Sequence, residues 1–118
     1  MKTIHTAKAP EAIGPYSQAI DCGSFLVTSG QVPFDPKTGE FVPGGIQEQT
    51  RQVFRNIKAI VEAAGLTMDN VVKTTVFLQH MSDFAAMNAV YAEFFTEGQY
   101  PARSAVEVGA LPRGALVE

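Results

Sequence analysis

The sequence has a single cysteine, Cys22, so no disulfide can form within the chain. It also lacks a group of cysteines and histidines with the spacing of a metal site, and we expect no metal. Cys22 lies between Asp21 and Gly23 and is interpreted as an inert thiol in a turn. The two histidines, His5 and His80, are interpreted as surface residues.

Basic clusters and long apolar runs are also missing. The chain contains nine lysines and arginines and 12 acidic residues, which gives a net charge of −3, and no basic residue adjoins another. This charge distribution argues against a nucleic-acid-binding function, because binding phosphates requires a positive surface. No run approaches the roughly 20 apolar residues of a membrane-spanning helix, and the N-terminus has no signal-type apolar stretch. We therefore expect a soluble, cytoplasmic protein with neither a nucleic-acid nor a membrane partner.

The composition that remains is that of a globular protein. The chain has 118 residues, of which 46% are hydrophobic and 18% charged. That length suits one domain with one core, so residues 1–118 are assigned to a single domain.

Apolar spacing predicts two helices. Residues 46–64 form an amphipathic pattern that ends at Gly65 and is interpreted as a core helix with one solvated face. A second helix is expected to be capped by Ser82 or Asp83 and to continue to about Phe95. Asn88 falls within its apolar stripe, where its amide either bonds nearby backbone or faces a ligand. The predicted strands are residues 2–5, 16–20, 25–32, 71–78, 101–108 and 115–118.

This order of elements predicts an α+β fold with one mixed sheet and both helices on one face. Both faces of the strands carry apolar residues; Phe25 and Val27, for example, alternate with Leu26. Two helices cover one face only, so the second face requires another cover. We therefore expect a homo-oligomer packed sheet to sheet.

The strand that begins at Pro101 is otherwise apolar but carries Arg103 near its start. An antiparallel hairpin turning about residues 110–111 would place Arg103 opposite Glu118. One interpretation is a structural ion pair. The other is that Arg103 binds a substrate carboxylate while Glu118 moves a proton or a water. Gly30, inside another predicted strand, suggests a bulge or a place where another group approaches the backbone closely.

Five segments together resemble one family. They are residues 14–19 (GPYSQA), 28–33 (TSGQVP), 72–77 (VKTTVF), the helix with Asp83, Phe84, Asn88, Tyr91, Phe94 and Phe95, and 101–104 (PARS). In this order they are similar to the reactive-intermediate deaminase (RidA, YjgF) family, over essentially the whole chain.

The resemblance implies a chorismate-mutase-like fold and a homotrimer with an active site in each intersubunit cleft. It implies hydrolysis of 2-imino acids such as 2-iminobutanoate and 2-iminopropanoate, and of 2-aminoacrylate, to 2-keto acids and ammonia, without a cofactor. Arg103 would bind the substrate carboxylate, Glu118 would activate water, and Tyr16 would contribute a hydroxyl. Ser29, Gly30 and Asn88 would complete the substrate-binding shell.

Two features depart from the family pattern. Many members have cysteine where this chain has Ala105, so a thiol there takes no part, although the Ala105 N–H could still contact substrate. The chain stops at Glu118, where members continue the last strand. We therefore expect a truncated strand that frays at its end.

Two other functions compete with imine hydrolysis. A trimeric sensor of 2-keto acids or related metabolites would need Arg103 but not Glu118. A ribonuclease or translation inhibitor is the least favoured, because the chain is acidic and lacks a basic stripe interleaved with aromatic residues.

Overall fold

The chain forms two hydrogen-bonded sheets and two α-helices in a computed structural model that describes residues 1–118. Strands β1 (Lys2–Ile4), β2 (Ala19–Asp21) and β3 (Leu26–Thr28) form an antiparallel sheet. Strands β4 (Lys73–Leu78) and β5 (Ala102–Glu107) pair in parallel. The α+β class and the parallel crossover between β4 and β5 are confirmed.

The prediction of one mixed sheet is wrong in the number of sheets, because the strands form two sheets that are not hydrogen-bonded to each other. β3 ends at Thr28, and the Ser29 N–H still donates to the Gln18 carbonyl beside β2 at 2.9 Å. Residues 30–32 do not pair with β4, and a tight turn follows in which the Phe34 N–H donates to the Val32 carbonyl at 2.8 Å. The turn predicted at residues 21–24 does connect β2 to β3, with the Gly23 N–H bonded to the Asp21 carboxylate at 2.8 Å. Cys22 is exposed in this turn, and His5 and His80 are exposed as expected.

Helix α1 (Ile46–Ala63) has the predicted bounds to within one residue. It ends before Gly65, whose φ of +80° is a left-handed conformation that glycine adopts without steric cost. The second predicted helix is shorter. It consists of α2 (Phe84–Tyr91) between 3₁₀ turns at Met81–Asp83 and Ala92–Phe94. Asp83 occupies the N-cap position, but its side chain makes no capping hydrogen bond. Neither helix combines the length and the apolar character needed to cross a membrane.

Helix α1 joins the two sheets through the core. Near its C-terminal end, Ile60 packs with Ile4 and Ala19 of the antiparallel sheet. Nearer its N-terminus, Phe54 packs with residues of β4 and α2. The Phe54 ring stacks on Phe94 at 5.0 Å and meets the rings of Tyr91 and Phe95 edge to face. Three aromatic residues of the predicted stripe on the second helix therefore surround one residue of α1, Phe54.

Both helices lie on the same face of the sheets, as predicted. Along β4, Val76 and Leu78 are buried on this face, while Thr75, which points to the opposite face, is exposed. On the other face, Phe25 is 63% exposed and Val27 is 50% exposed. This open apolar face is the feature that led us to expect an oligomer.

The predicted terminal hairpin is wrong. Residues 115–118, the terminal segment, pair antiparallel with β4 instead of β5: Phe77 and Glu118 exchange both of their backbone hydrogen bonds at 2.9 Å. β5 already occupies one edge of β4 through the parallel crossover, so the other edge of β4 remained open. There Val117 becomes buried beside Leu78, to 2% exposure. Pairing with β5 would have left this edge without a partner.

Replacing Phe54 with alanine should lower the free energy of unfolding by about 3–5 kcal/mol, because the substitution empties the centre of the aromatic cluster. Leu66→Ala, at an exposed position, should cost less than about 1 kcal/mol. Urea unfolding at one fixed protein concentration measures both. A Phe54→Ala loss no larger than that of Leu66→Ala would contradict this description of the core.

Candidate active site

A cavity of about 380 Å³ lies where the loop before β2, the turn after β3 and the terminal segment meet. Four residues expected at a substrate site line it: Tyr16, Ser29, Gly30 and Glu118. They come from three separate stretches of chain. The fold therefore brings these four together as the sequence analysis anticipated, with Glu118 carried in by the terminal segment.

Local hydrogen bonds orient the two hydroxyl groups. The Ser29 hydroxyl donates to the Ser17 carbonyl at 2.6 Å, so its proton is engaged and its oxygen can only accept from a ligand. The Tyr16 oxygen accepts from the Ile13 N–H at 3.2 Å, which leaves the phenolic proton free to donate. The Tyr16 side chain is about half exposed and can therefore offer this proton to a molecule in the cavity.

Gly30 is the place of close approach that its position in the sequence suggested. The Glu118 carboxylate lies against the Gly30 backbone, in space that a Cβ atom at residue 30 would occupy. Only glycine allows the carboxylate to rest there without moving. The Glu118 carboxylate has no ion-pair partner within the chain, where the ion pairs join His5 to Glu11, Arg51 to Glu93 and Lys58 to Glu62.

Arg103 lies apart from this cavity, between β5 and α2. Its guanidinium donates to the Asn88 side-chain oxygen and lies 4.7 Å from the ring centre of Tyr91 and 5.2 Å from that of Phe84. Both distances are within the range of cation–π attraction. The Tyr91 hydroxyl is in turn hydrogen-bonded to Thr74, which is the register partner of Arg103 on β4. Arg103 is thus oriented entirely by neutral groups.

Of the two alternatives considered for the Asn88 amide, a bond to nearby backbone is not the one that the structure shows. The amide oxygen accepts from Arg103 instead. The reason is geometric: α2 crosses the helix-side face of β5, and Asn88 is on the side of the helix that meets Arg103. Ala105 lies on the same face of β5, two residues farther on, where it packs against the core. Neither residue is part of the cavity lining.

The Arg103–Glu118 ion pair within one chain is also wrong. Glu118 lies opposite Phe77 on one side of β4, and Arg103 lies opposite Thr74 on the other side. Thr74 and Phe77 are three residues apart, which is roughly 10 Å along the strand, and they point to opposite faces. The terminal segment and β5 are therefore separated by a whole strand.

The charges of the two regions are complementary. The cavity lining includes two carboxylates, Glu11 and Glu118, and no lysine or arginine. Arg103 is half-buried and has no carboxylate within ion-pair distance. A cavity of this charge does not by itself attract an anionic ligand, whereas Arg103 needs an anion to balance its partly buried charge.

The sequence analysis missed several amides that support the cavity. Gln18 is buried and clamps the preceding loop, accepting from the Thr6 N–H at 2.7 Å and donating to the Pro10 carbonyl at 2.9 Å. On α1, Gln49, Gln52 and Asn56 are buried, so this helix has a polar buried side in addition to its apolar one. Their spacing of three and four residues, beside the apolar stripe, is the signal that could have revealed them.

Comparison with known proteins identifies relatives along the whole chain. A family model described as endoribonuclease L-PSP matches residues 6–118. A RutC family protein of Pyrococcus horikoshii is 59% identical over 117 residues, covering 99% of this chain and 92% of that protein. The 2-iminobutanoate/2-iminopropanoate deaminase of Escherichia coli K12 is 55% identical over 119 residues, with coverages of 99% and 92%.

Solved structures share the fold as well. RidA from an Antarctic Psychrobacter species has a TM-score of 0.94 at 50% identity, covering 99% of this chain and 94% of that one. Escherichia coli TdcF with bound serine has a TM-score of 0.94 at 49% identity, with coverages of 99% and 93%.

Gly30→Ala should displace the Glu118 carboxylate while changing the free energy of unfolding by less than about 1 kcal/mol. The added methyl group takes the space of a flexible side chain, whose rotation costs about 0.5–1.5 kcal/mol, while alanine stabilises by about 0.4–1 kcal/mol through the unfolded chain. A crystal structure of the variant and its urea unfolding curve measure the two effects. Gly109→Ala, where a Cβ would contact nothing, is the control. Finding the carboxylate unmoved would contradict the contact described above.

Proposed function

The chain belongs to the endoribonuclease L-PSP family, also known as the YjgF/RidA family, and on that premise we propose that it hydrolyses 2-imino acids to 2-keto acids and ammonia. Relatives that are 55% identical over nearly the whole chain carry the name 2-iminobutanoate/2-iminopropanoate deaminase. The substrates we propose are those two imines and their 2-aminoacrylate-type tautomers. The chemistry requires no metal or cofactor from the protein.

The observation that carries the proposal is the complementarity of the two half-sites. An acidic cavity without a cation and a half-buried arginine without an anion make one site if Arg103 of one copy reaches the cavity of another. We propose that this happens in a homotrimer of the chorismate-mutase-like type. The open sheet face with exposed Phe25 and Val27 would then be covered by neighbouring copies.

Arg103 would hold the substrate through its carboxylate. A guanidinium presents a planar pair of donors that matches a carboxylate and remains charged at every physiological pH. Phe84, Tyr91 and Asn88 fix its plane before substrate arrives, so little conformational freedom is lost on binding. All three are neutral and leave the charge available. A related protein, TdcF, has been solved with bound serine, a small molecule that also carries an α-carboxylate.

Glu118 would transfer the protons. A water attacks the C=N carbon while Glu118 accepts one of its protons and passes it to the nitrogen, which forms a carbinolamine. Glu118 then accepts the hydroxyl proton of the carbinolamine and delivers it to the nitrogen as the C–N bond breaks, so that the keto acid and ammonia form and Glu118 is again ionised. The proton balance closes on one residue. The free Tyr16 proton can donate to the oxygen that develops at the attacked carbon, and the Ser29 oxygen can accept from the imine N–H.

The family description also names an endoribonuclease, and the charge of this chain does not favour that activity. Its net charge is −3, and the cavity is lined by two carboxylates with no basic residue. A polyanion would be repelled from such a surface, whereas a single small carboxylate requires only one arginine.

Two substitutions separate hydrolysis from simple binding. Arg103→Ala should abolish both 2-oxobutanoate binding and imine hydrolysis, since each charge-assisted hydrogen bond contributes about 1.5–3 kcal/mol. Glu118→Gln keeps the shape but cannot accept a proton, so hydrolysis should fall about 10²–10⁴-fold while binding survives. A threonine dehydratase generates the imine, and the rate of imine loss is then measured. Calorimetry measures the binding of 2-oxobutanoate.

Arg55→Ala and Glu97→Gln, at exposed positions outside the site, are the matched charge controls and should behave as wild type. If Glu118→Gln hydrolyses the imine at the wild-type rate, the role assigned to Glu118 is wrong. If the wild type binds 2-oxobutanoate but never shortens the lifetime of the imine, the protein is a metabolite sensor.

A mixing experiment tests whether each site is shared between copies. Co-expressing Arg103→Ala and Glu118→Gln chains in equal amounts should restore about one quarter of the wild-type sites, because random trimers pair an intact Arg103 with an intact Glu118 at that frequency. Differently tagged chains allow the hybrids to be isolated, and light scattering gives their mass. Activity no higher than the average of the two inactive variants would show that both groups act from one chain.

A further inference from the structure

The backbone pairing that holds Glu118 is incomplete on one side. In a regular antiparallel ladder, the hydrogen-bonded pair of Phe77 and Glu118 would be followed by a second one between Gln79 and Leu116. Half of that second pair is present: the Gln79 N–H donates to the Leu116 carbonyl at 3.0 Å. The Leu116 N–H does not return the bond to Gln79. The terminal segment therefore needs another acceptor two residues before Glu118.

Gln49 of α1 supplies that acceptor. Its side-chain oxygen accepts from the Leu116 N–H at 2.9 Å, and its side chain is buried, with 8% of the residue exposed. A partly buried N–H without an acceptor is destabilising, so this bond helps to fix the position of the terminal segment. The bond joins the segment to a rigid helix 67 residues away in sequence.

The same helix fixes the opposite wall of the cavity. Asn56, which is fully buried, donates to the carbonyls of Val32 and Phe34 at 3.3 and 2.9 Å, and both of those residues line the cavity. Gln49 and Asn56 are seven residues, or about 10 Å, apart along α1. Helix α1 therefore holds both sides of the contact between Gly30 and Glu118. Asn56 holds the wall that follows Gly30, and Gln49 holds the terminal segment that carries Glu118.

We propose that Gln49 is a positioning residue for Glu118. The inference rests on the proposed function: Gln49 touches no substrate, but its hydrogen bond holds the terminal segment so that the Glu118 carboxylate lies against Gly30, ready to accept a proton. Loss of this bond should loosen the segment without affecting Arg103, which is held by a separate set of residues. Turnover should fall, and substrate affinity should not.

The test is Gln49→Leu, which removes the acceptor at nearly constant volume, together with Gln49→Asn, which stays polar but is shorter by about 1.5 Å. Both should lower kcat for imine hydrolysis about 10- to 100-fold, the effect of a roughly 1 Å misplacement, and leave 2-oxobutanoate affinity within about twofold. Gln49→Glu retains an acceptor at the same distance and should recover most of the rate.

The matched control is Gln47→Leu. Gln47 lies on the same helix and also hydrogen-bonds to backbone, at the Ala86 carbonyl, but it does not contact the terminal segment. This variant should keep the wild-type kcat. If Gln47→Leu lowers kcat as much as Gln49→Leu does, or if folded Gln49→Asn turns over at the wild-type rate, the proposal is overturned.

Amide hydrogen exchange keeps this test independent of the reaction. In Gln49→Asn, the amides of Leu116 and Glu118 should exchange at least about tenfold faster than in wild type, while those of β5 should not change. Unchanged exchange would overturn the positioning role even if the protein hydrolysed no imine. Faster exchange in a protein without hydrolysis would instead refute the proposed function and leave the structural role of Gln49 standing.

Discussion

The pairing of β4 on both of its edges is the constraint on which the rest of the structure depends. β5 occupies one edge in parallel and the terminal segment occupies the other in antiparallel. These neighbours carry Arg103 and Glu118 respectively, on opposite faces. β4 lies between these two neighbours, so the two charged groups cannot meet within one chain. The same pairing that completes the core therefore separates Arg103 from the cavity, the two regions that we propose form one site between copies.

That division explains why neutral groups surround Arg103. A carboxylate beside the guanidinium would neutralise it and compete with any incoming anion. Asn88 instead accepts one hydrogen bond, and two aromatic rings hold the plane of the group. The guanidinium remains half-buried and without a counter-ion, which is costly unless an anion arrives. This cost is consistent with the role in binding a substrate carboxylate that we propose for Arg103.

The sequence predicted what depends on local patterns. The 3.6-residue spacing gave α1 to within one residue, and Gly30 marked a close approach before any partner was known. The choice between β4 and β5 as the partner of residues 115–118 was not local. Alternation fits both, and only the crossover that fills one edge of β4 decides it. Likewise, the spacing of Gln49 beside the apolar stripe could indicate its burial but not its partner, because the Leu116 N–H lies 67 positions away.

The amides of this protein are what the proposed reaction would require. Imines already hydrolyse in water, so a catalyst gains most by orienting a water, a carboxylate and the imine carbon toward one another, and less by altering their intrinsic reactivity. Placement depends on the walls of the cavity, and those walls are loops and the terminal segment, which need support from the rest of the fold. Gln18, Gln49 and Asn56 each bond such a segment to a buried part of the fold. Burying amides is costly unless every polar atom is paired, and no buried side-chain polar atom here lacks a partner. Buried amides that bond the cavity walls to α1 and to the preceding loop therefore orient those walls, because a hydrogen bond specifies a direction as well as a distance.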